Sequence, residues 1–192
     1  MIARPRVRNA ITTRQAMLDA ARRQFARESY ENVGLREIAG AVGVDPALVS
    51  RYFGSKEELF VEVLHGDDHG RLFDDVTAQG LPEHFVRLIL DADEDAAHAA
   101  EKLDRLLIIL HSASSPKASA IVRQAIAEGI LDPVVERIGG EDAPLRASLA
   151  LAVLMGMAIL RNVMVTQPVC RTNDSLIRAR LLRLFENALN DG

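Results

Sequence analysis

Cysteine and aromatic residues are scarce in this sequence of 192 residues, which has one cysteine, Cys170, no tryptophan and 4% aromatic residues. A single cysteine excludes an intramolecular disulfide and fits a reducing compartment. With so few aromatic residues, the hydrophobic fraction of 48% is mostly Leu, Ala, Val and Ile. That composition favours helices over sheets, because strands are enriched in aromatic and β-branched residues.

Long apolar runs and enzyme motifs are lacking as well. The N-terminus has no apolar signal-peptide core, and the longest apolar run, 149–160, is interrupted only by Gly156. It is shorter than the ~18 residues that a membrane span needs. There is no phosphate-binding loop, nucleophile elbow or pair of catalytic carboxylates. We therefore expect a cytoplasmic protein with no membrane segment, no enzymatic activity and no cofactor.

Charge is distributed unevenly along the chain. Residues 1–60 contain ten Lys and Arg against seven Asp and Glu, whereas residues 61–192 contain 13 against 20, giving net charges of +3 and −7. A basic N-terminal module on an acidic body predicts a local site for a polyanion. Chance clustering of arginines in a loose tail is the alternative. Residues 1–11 are expected to form a flexible basic arm.

Hydrophobic periodicity and helix-capping signals predict an all-α fold of about nine helices. The first helix is expected at about Thr13–Glu28, with a capping box formed by Thr12 and Gln15. Three short helices follow up to about Leu64, and a second capping box, formed by Ser55 and Glu58, opens the last of them. Pro133 is expected to kink or split one of the later helices. Those later helices are predicted at about 82–92, 96–113, 117–138, 144–165 and 173–189.

Two of the short helices, between Leu35 and Phe53, form a helix-turn-helix pattern. Ala39 is small where the two helices cross, Gly43 can take the positive φ that reverses the chain, and Asp45 caps the second helix. The pattern predicts a second helix that enters the major groove of DNA. By itself it is only moderately specific, because many buried helical hairpins share it.

The residues that follow make the pattern specific. The segment YFGSKEELF, residues 52–60, has the form aromatic-aromatic-x-[Ser/Thr]-Lys-x-x-Leu. Together with Phe25 and Tyr30 it gives residues 12–62 a pattern that resembles the tetracycline-repressor family of bacterial regulators. The resemblance implies a three-helix DNA-binding domain with a connecting helix over 12–65. It also implies a helical ligand-binding and dimerisation domain over 66–192.

The resemblance implies a set of DNA-contacting residues. Arg36 would reach a phosphate or a guanine edge, and Lys56 would bind the backbone beside the positive end of its helix, unless it is an ordinary solvated lysine. Leu48 either touches DNA or packs inward. Tyr52 either donates to a phosphate or joins the core. The full predicted set is Arg36, Pro46, Ala47, Leu48, Ser50, Arg51, Tyr52 and Lys56.

The sequence departs from the family pattern close to these positions. Ser29 stands where the family usually has Gly, and Gly34 where it has Ser or Thr. The segment 47–50 replaces a common Gly-Thr-Leu-Tyr, which removes a usual phosphate contact. The reading face, Pro-Ala-Leu-x-Ser over residues 46–50, also has no Gln, Asn or Arg for bidentate base contacts. Sequence preference is therefore expected to depend on Arg36, Arg51, methyl contacts and DNA shape.

A homodimer is expected, because a monomer would read only one half-site. Residues 145–165 and the last helix are apolar over more than one face, so each would pack on its own core and on a partner. A fully buried central helix in a monomer is the alternative. The resemblance implies that the last two long helices form the dimer. The predicted interface residues are Leu151, Leu154, Gly156, Ala158, Leu181 and Phe185.

The resemblance also implies a repressor that a small-molecule effector releases from a double-stranded operator. The predicted pocket residues lie on apolar helices of the second domain: Phe85, Leu88, Leu107, Leu110, His111, Met155 and Ile159. No metal is expected, since Gly66 and Gly70 favour a loop around His65 and His69. The competing function is a dimeric helical module that binds proteins or small molecules without reading DNA.

Overall fold

The computed structural model describes residues 5–66, 71–91, 96–112, 115–167, 169–170 and 174–190; of residues 5–10, 96–98 and 174 it describes the backbone alone. In this part of the chain every regular element is a helix and none is a strand, as the predicted all-α fold requires. The α-helices are α1 (Pro5–Arg27), α2 (Leu35–Val42), α3 (Pro46–Phe53), α4 (Lys56–His65), α5 (Leu81–Leu90), α6 (Ala96–Ser112), α7 (Pro116–Ile126), α8 (Asp132–Ile138), α9 (Ala143–Ala158) and α10 (Asp174–Leu189).

The junction between α7 and α8 is a π-helical segment, Ala127–Leu131, so that nine continuous helices occur in the described residues. Pro133 is the second residue of α8. Its ring has no N–H to donate and would clash with the carbonyl of Gly129 in a regular α-helix. A π turn directly before the proline widens the helix at this point. The expectation that Pro133 disturbs this helix is therefore confirmed.

The first helix begins earlier than predicted, at Pro5 rather than Thr13. Proline suits the first position of a helix, because its missing N–H would have no partner there. None of the residues between Pro5 and Thr13 is a glycine or a second proline, so nothing interrupts the helix. The predicted basic arm over 1–11 is thus helical from residue 5, and the expected capping box at Thr12 lies inside the helix.

Two compact units make up the chain. The first contains the described residues of 1–67 and 100–125, and the second those of 68–99 and 126–192. This division differs from the predicted boundary after residue 65. Within the first unit an ionic cluster links α1 to α6: Arg22 of α1 lies 3.1 Å from Glu101 and 3.6 Å from Asp104, both on α6.

Three aromatic rings form the centre of the first unit. The ring of Phe60 on α4 meets those of Phe25 and Tyr30 edge to face, with centroids 4.8 and 4.9 Å apart. All three side chains are buried. Such pairs add about 0.5–1.5 kcal/mol each to the effect of burial. They fix α1 and α4 as the support for α2 and α3.

The second unit has a core between α5, α9 and α10. The rings of Phe85 and Phe185 stack with centroids 5.1 Å apart, and both side chains are fully buried. On the surface, Arg178 of α10 bridges to Glu83 of α5 at 2.7 Å and to Asp91. The other buried members of this core are Phe73, Leu81, Val86, Leu90, Val134, Ala147, Ala150, Leu181 and Leu189.

One helical stretch of the described chain, Ala143–Val163, is 21 residues long with a mean hydropathy of 1.8, which suffices for a membrane span by length and composition. The π-helical segment Ile159–Val163 extends α9 without a break, so this helical stretch is longer than the apolar run in the sequence. Only 22% of the apolar window is buried. A single helix of this kind is a weak indication of a membrane span, since apolar helices of soluble proteins pass the same test.

Candidate DNA-binding surface

The turn between α2 and α3 has the geometry that a helix-turn-helix requires. Gly43 ends α2 with φ 74° and ψ 33°, in the left-handed region that glycine adopts without a steric penalty. The backbone N–H of Val44 then donates to Ala39 O at 3.0 Å. Asp45 caps α3, since its Oδ1 accepts from the N–H of Ala47 at 2.7 Å. The predicted roles of Gly43 and Asp45 are thus confirmed.

Helix α3 has one buried and one exposed side. Val49 and Phe53 point into the first unit and are 1% and 6% exposed. Because residues three or four positions apart share a helix face, the remaining side chains turn away from this core. Leu48 and Tyr52 are half-buried at the border between the two sides. The exposed side consists of Pro46, Ala47, Ser50 and Arg51.

Arg36 is exposed in the first turn of α2. The backbone N–H of Gly34, before this helix, donates to Glu37 Oε2 at 3.0 Å, so the carboxylate closes the start of the helix without a capping side chain at residue 34. The contacts of Arg36 with DNA, like those of the exposed residues of α3, stay a prediction.

Lys56 begins α4 and is half-buried. The helix starts with the predicted capping box, in which Ser55 Oγ accepts from Glu58 N at 3.1 Å and Glu58 Oε2 accepts from Ser55 N at 2.7 Å. The Lys56 ammonium lies 4.4 Å from the ring centroid of Tyr30 and donates to the carbonyl of Glu31 at 3.5 Å. It is therefore not an ordinary solvated lysine.

Tyr30 is a further polar group beside this lysine. Burial is the main reason that the pKa of Tyr30 is raised to about 12, and the negative charge of Glu57 acts in the same direction. The hydroxyl thus keeps its proton, and the ring presents a neutral face to the Lys56 ammonium. Burial is likewise the largest influence on Lys56 and lowers its pKa.

Sequence reasoning missed the side chain that holds the end of the reading helix. The guanidinium of Arg14 on α1 lies 4.8 Å from the ring centroid of Phe53, the last residue of α3, and pairs with Glu62 on α4. It therefore joins three helices. The three residues are far apart in the chain, and a lone arginine on an amphipathic helix carries no signal of this role.

The predicted pocket residues are distributed over both compact units. Phe85, Leu88, Met155 and Ile159 belong to the second, and Leu107, Leu110 and His111 to the first. Phe85 is fully buried against Phe185. Two grooves are found elsewhere, one beside α4 and α7 and one beside α5 and α10, and none of the seven residues lines either. The pocket stays a prediction.

The predicted dimer residues are corrected in part. Leu181 and Phe185 are buried in the core of their own unit, 3% and 0% exposed, so they cannot form an interface with a partner. The reason is that α10 is apolar on two sides, and its periodicity does not tell which side is inward. The four residues on α9, Leu151, Leu154, Gly156 and Ala158, are half-buried.

Other apolar side chains of the same helices are exposed. Leu145 and Leu149 on α9 are 62% and 51% exposed, and Leu176 and Leu184 on α10 are 61% and 51% exposed. Large exposed apolar residues on two helices of one unit indicate an interaction surface. We call these four residues the leucine face.

Both parts of the chain match known protein families. Residues 17–63 match the family described as "Bacterial regulatory proteins, tetR family". Residues 79–189 match the family described as "Tetracyclin repressor-like, C-terminal domain". The two matches leave out residues 1–16, the connecting residues 64–78 and the last three residues.

Two relatives illustrate the likeness in sequence. The HTH-type transcriptional repressor AcnR of Corynebacterium efficiens is 36% identical over 83 residues, which cover 43% of this chain and 44% of AcnR. The HTH-type transcriptional regulator AcrR of Shigella flexneri is 32% identical over 129 residues, which cover 65% of this chain and 60% of AcrR. The chain thus spans less than two thirds of the length of both relatives.

Two solved structures share the fold. NalD, the secondary repressor of the MexAB-OprM multidrug efflux pump in Pseudomonas aeruginosa, has a TM-score of 0.68 at 15% identity, covering 92% of this chain and 96% of NalD. Salmonella enterica GusR has a TM-score of 0.66 at 17% identity, covering 98% of both chains. At these identities the likeness shows the fold alone.

Proposed function

This chain belongs to the tetracycline-repressor family of helix-turn-helix transcriptional regulators, and from that membership we propose that it is a cytoplasmic repressor that binds a palindromic operator as a homodimer. A small-molecule effector releases it from the operator. The family consists of soluble DNA-binding regulators and not of enzymes. DNA binding therefore follows from the family, whereas the operator symmetry, the dimer and the effector are what we propose.

The observation that carries the proposal is the two-sided character of α3. Its apolar residues Val49 and Phe53 are buried, while the side with Pro46, Ser50 and Arg51 is exposed. A helix with one side buried in its own domain and the other side exposed can enter the major groove without losing its core contacts. The capped turn at Gly43 and Asp45 fixes the angle at which it does so.

The leucine face supports the dimer. Exposed apolar area is unfavourable in water by about 25 cal/mol per Å², so covering it with a second copy stabilises the pair. A two-fold axis brings the same residues of both copies together. The half-buried Gly156 has no atom close to where a side chain would start, which leaves room for a partner helix. We place the interface on α9 and the exposed side of α10.

Selection of bound duplexes from a random pool tests the proposal. We expect a palindrome whose half-sites are separated by about one or two helical turns, as two-fold symmetry requires. Affinity for it should fall steeply as salt is added, because bound phosphates release counterions. A protein that recovers no common sequence and ignores DNA in dilute salt would instead be the competing interaction module.

Two substitutions separate base reading from phosphate binding. Arg36→Ala should cost about 1–3 kcal/mol on the selected operator and relax the preference at one position of each half-site, whereas Lys56→Ala should weaken binding to all duplexes alike. Quantitative titration of selected and random duplexes measures both effects. Equal losses on the two duplexes for Arg36→Ala would assign this arginine to the backbone.

A further inference from the structure

Lys56, the proposed phosphate contact, has carboxylates close to it. Its ammonium donates to the backbone carbonyl of Glu31 at 3.5 Å. The side chains of Glu31 and Glu57 are near enough for their charges to favour the protonated lysine, against the larger effect of burial, which lowers its pKa. A carboxylate that paired with this ammonium would compete with a DNA phosphate for the same cation.

Both carboxylates are bound by residues from outside the helix-turn-helix. Ser115 Oγ donates to Glu31 Oε1, and Lys117 Nζ pairs with Glu57 Oε1. These contacts are the largest reason that the pKa of each glutamate lies below its usual value. Ser115 is itself held in place, because it is buried and its Oγ accepts from the N–H of Ala118 at 3.1 Å.

We propose that Lys117 is a positioning residue for DNA binding, which engages Glu57 and so leaves Lys56 available to a phosphate. Ser115 has the corresponding role at Glu31. The inference rests on the proposed function, in which Lys56 binds the DNA backbone. It extends the DNA-binding machinery from the helix-turn-helix to the first turn of α7, some 60 residues further along the chain.

The alternative for Lys117 is that it touches a phosphate itself. Its side chain is 62% exposed, so it has access to solvent. The two roles differ in how they depend on Glu57. A positioning lysine matters only while the Glu57 charge is present, whereas a phosphate contact is lost with the lysine whatever residue 57 is. Double-mutant cycles measure this dependence directly.

The test is binding of the full-length chain to the selected operator and to a random-sequence duplex in dilute salt. We expect Lys117→Ala to weaken binding to both duplexes by roughly 3- to 10-fold, as for other charge effects near a phosphate contact. Made in a Glu57→Gln background, Lys117→Ala should change affinity by less than about 2-fold, since Lys117 then has no Glu57 charge to neutralise. In a Lys56→Ala background, Lys117→Ala should have no further effect.

Two controls accompany the cycle. Lys117→Arg keeps the positive charge and should retain affinity, and Lys102→Ala removes one positive charge from an exposed site on α6 and should change affinity less than Lys117→Ala. Thermal unfolding of each variant reports any loss of structure separately. A loss that persists after Glu57→Gln, or in the Lys56→Ala background, would overturn the inference. Failure of the unmodified protein to bind either duplex would instead refute the proposed function.

Discussion

Replacing Leu149 with Glu should dissociate the dimer and lower affinity for a palindromic operator by roughly 100-fold or more, because each monomer then reads a single half-site. Leu149 is a member of the leucine face and is 51% exposed. Two-fold symmetry places the new carboxylate in the interface twice. At about 2 kcal/mol for each buried and unpaired charge, the dimer dissociation constant rises by roughly 10³-fold.

Sedimentation equilibrium over a range of concentrations measures the dissociation constant. Ile11→Glu is the matched control for self-association: it makes the same kind of change at a side chain on α1 that is 66% exposed. The control should remain a dimer. Circular dichroism should show the same helix content for both variants, since neither replaced side chain is buried. A dimer of Leu149→Glu as tight as the unmodified protein would place the interface on another surface.

Local chemistry in the sequence was enough to predict the reading helix and its turn. Asp45 and Gly43 act through hydrogen bonds and backbone angles within a few residues, so their roles do not depend on the rest of the fold. The same holds for the capping box at Ser55 and Glu58. Signals of this kind are complete within one turn of helix. They are confirmed at these residues, whereas the capping box expected at Thr12 is wrong because the helix already begins at Pro5.

The sequence did not predict which of two apolar faces of a helix is buried. Leu181 and Phe185 are inside the core, whereas Leu176 and Leu184 of the same helix are exposed. Both sets are apolar with helical spacing, so the periodicity fits either face. The packing of α10 on α5, where the ring of Phe85 stacks on that of Phe185, decides which face is inward.

Contacts between distant parts of the chain carried no signal at all. Lys117 and Glu57 are separated by 60 residues, and each is an ordinary exposed charge in the sequence. Arg22 likewise meets Glu101 and Asp104 only after α6 has packed on α1. Which charges meet follows from the packing of helices, which a single sequence does not specify.

Arg146 illustrates the same point in the second unit and has the largest expected effect on stability. Its side chain is buried although the residue is charged. Its Nε donates to Asp142 Oδ1 at 2.7 Å, and its Nη1 donates to the carbonyl of Leu189 at 2.7 Å. Its Nη2 donates to the carbonyl of Gly139. The side chain therefore binds carbonyls at the C-terminal ends of α8 and α10, whose dipoles favour a cation.

Arg146→Ala should lower the free energy of unfolding by about 2–3 kcal/mol, because the charge-assisted hydrogen bonds of the buried guanidinium to Asp142 and to the carbonyls of Leu189 and Gly139 are lost. A loss of this size is a large part of the stability of a typical domain. Urea unfolding followed by circular dichroism measures it. The matched control is Arg178→Ala, which removes an arginine with two carboxylate partners, Glu83 and Asp91, on the surface. Exposed ion pairs contribute at most about 1 kcal/mol, so equal losses for the two variants would contradict the assignment of Arg146 as a buried clamp.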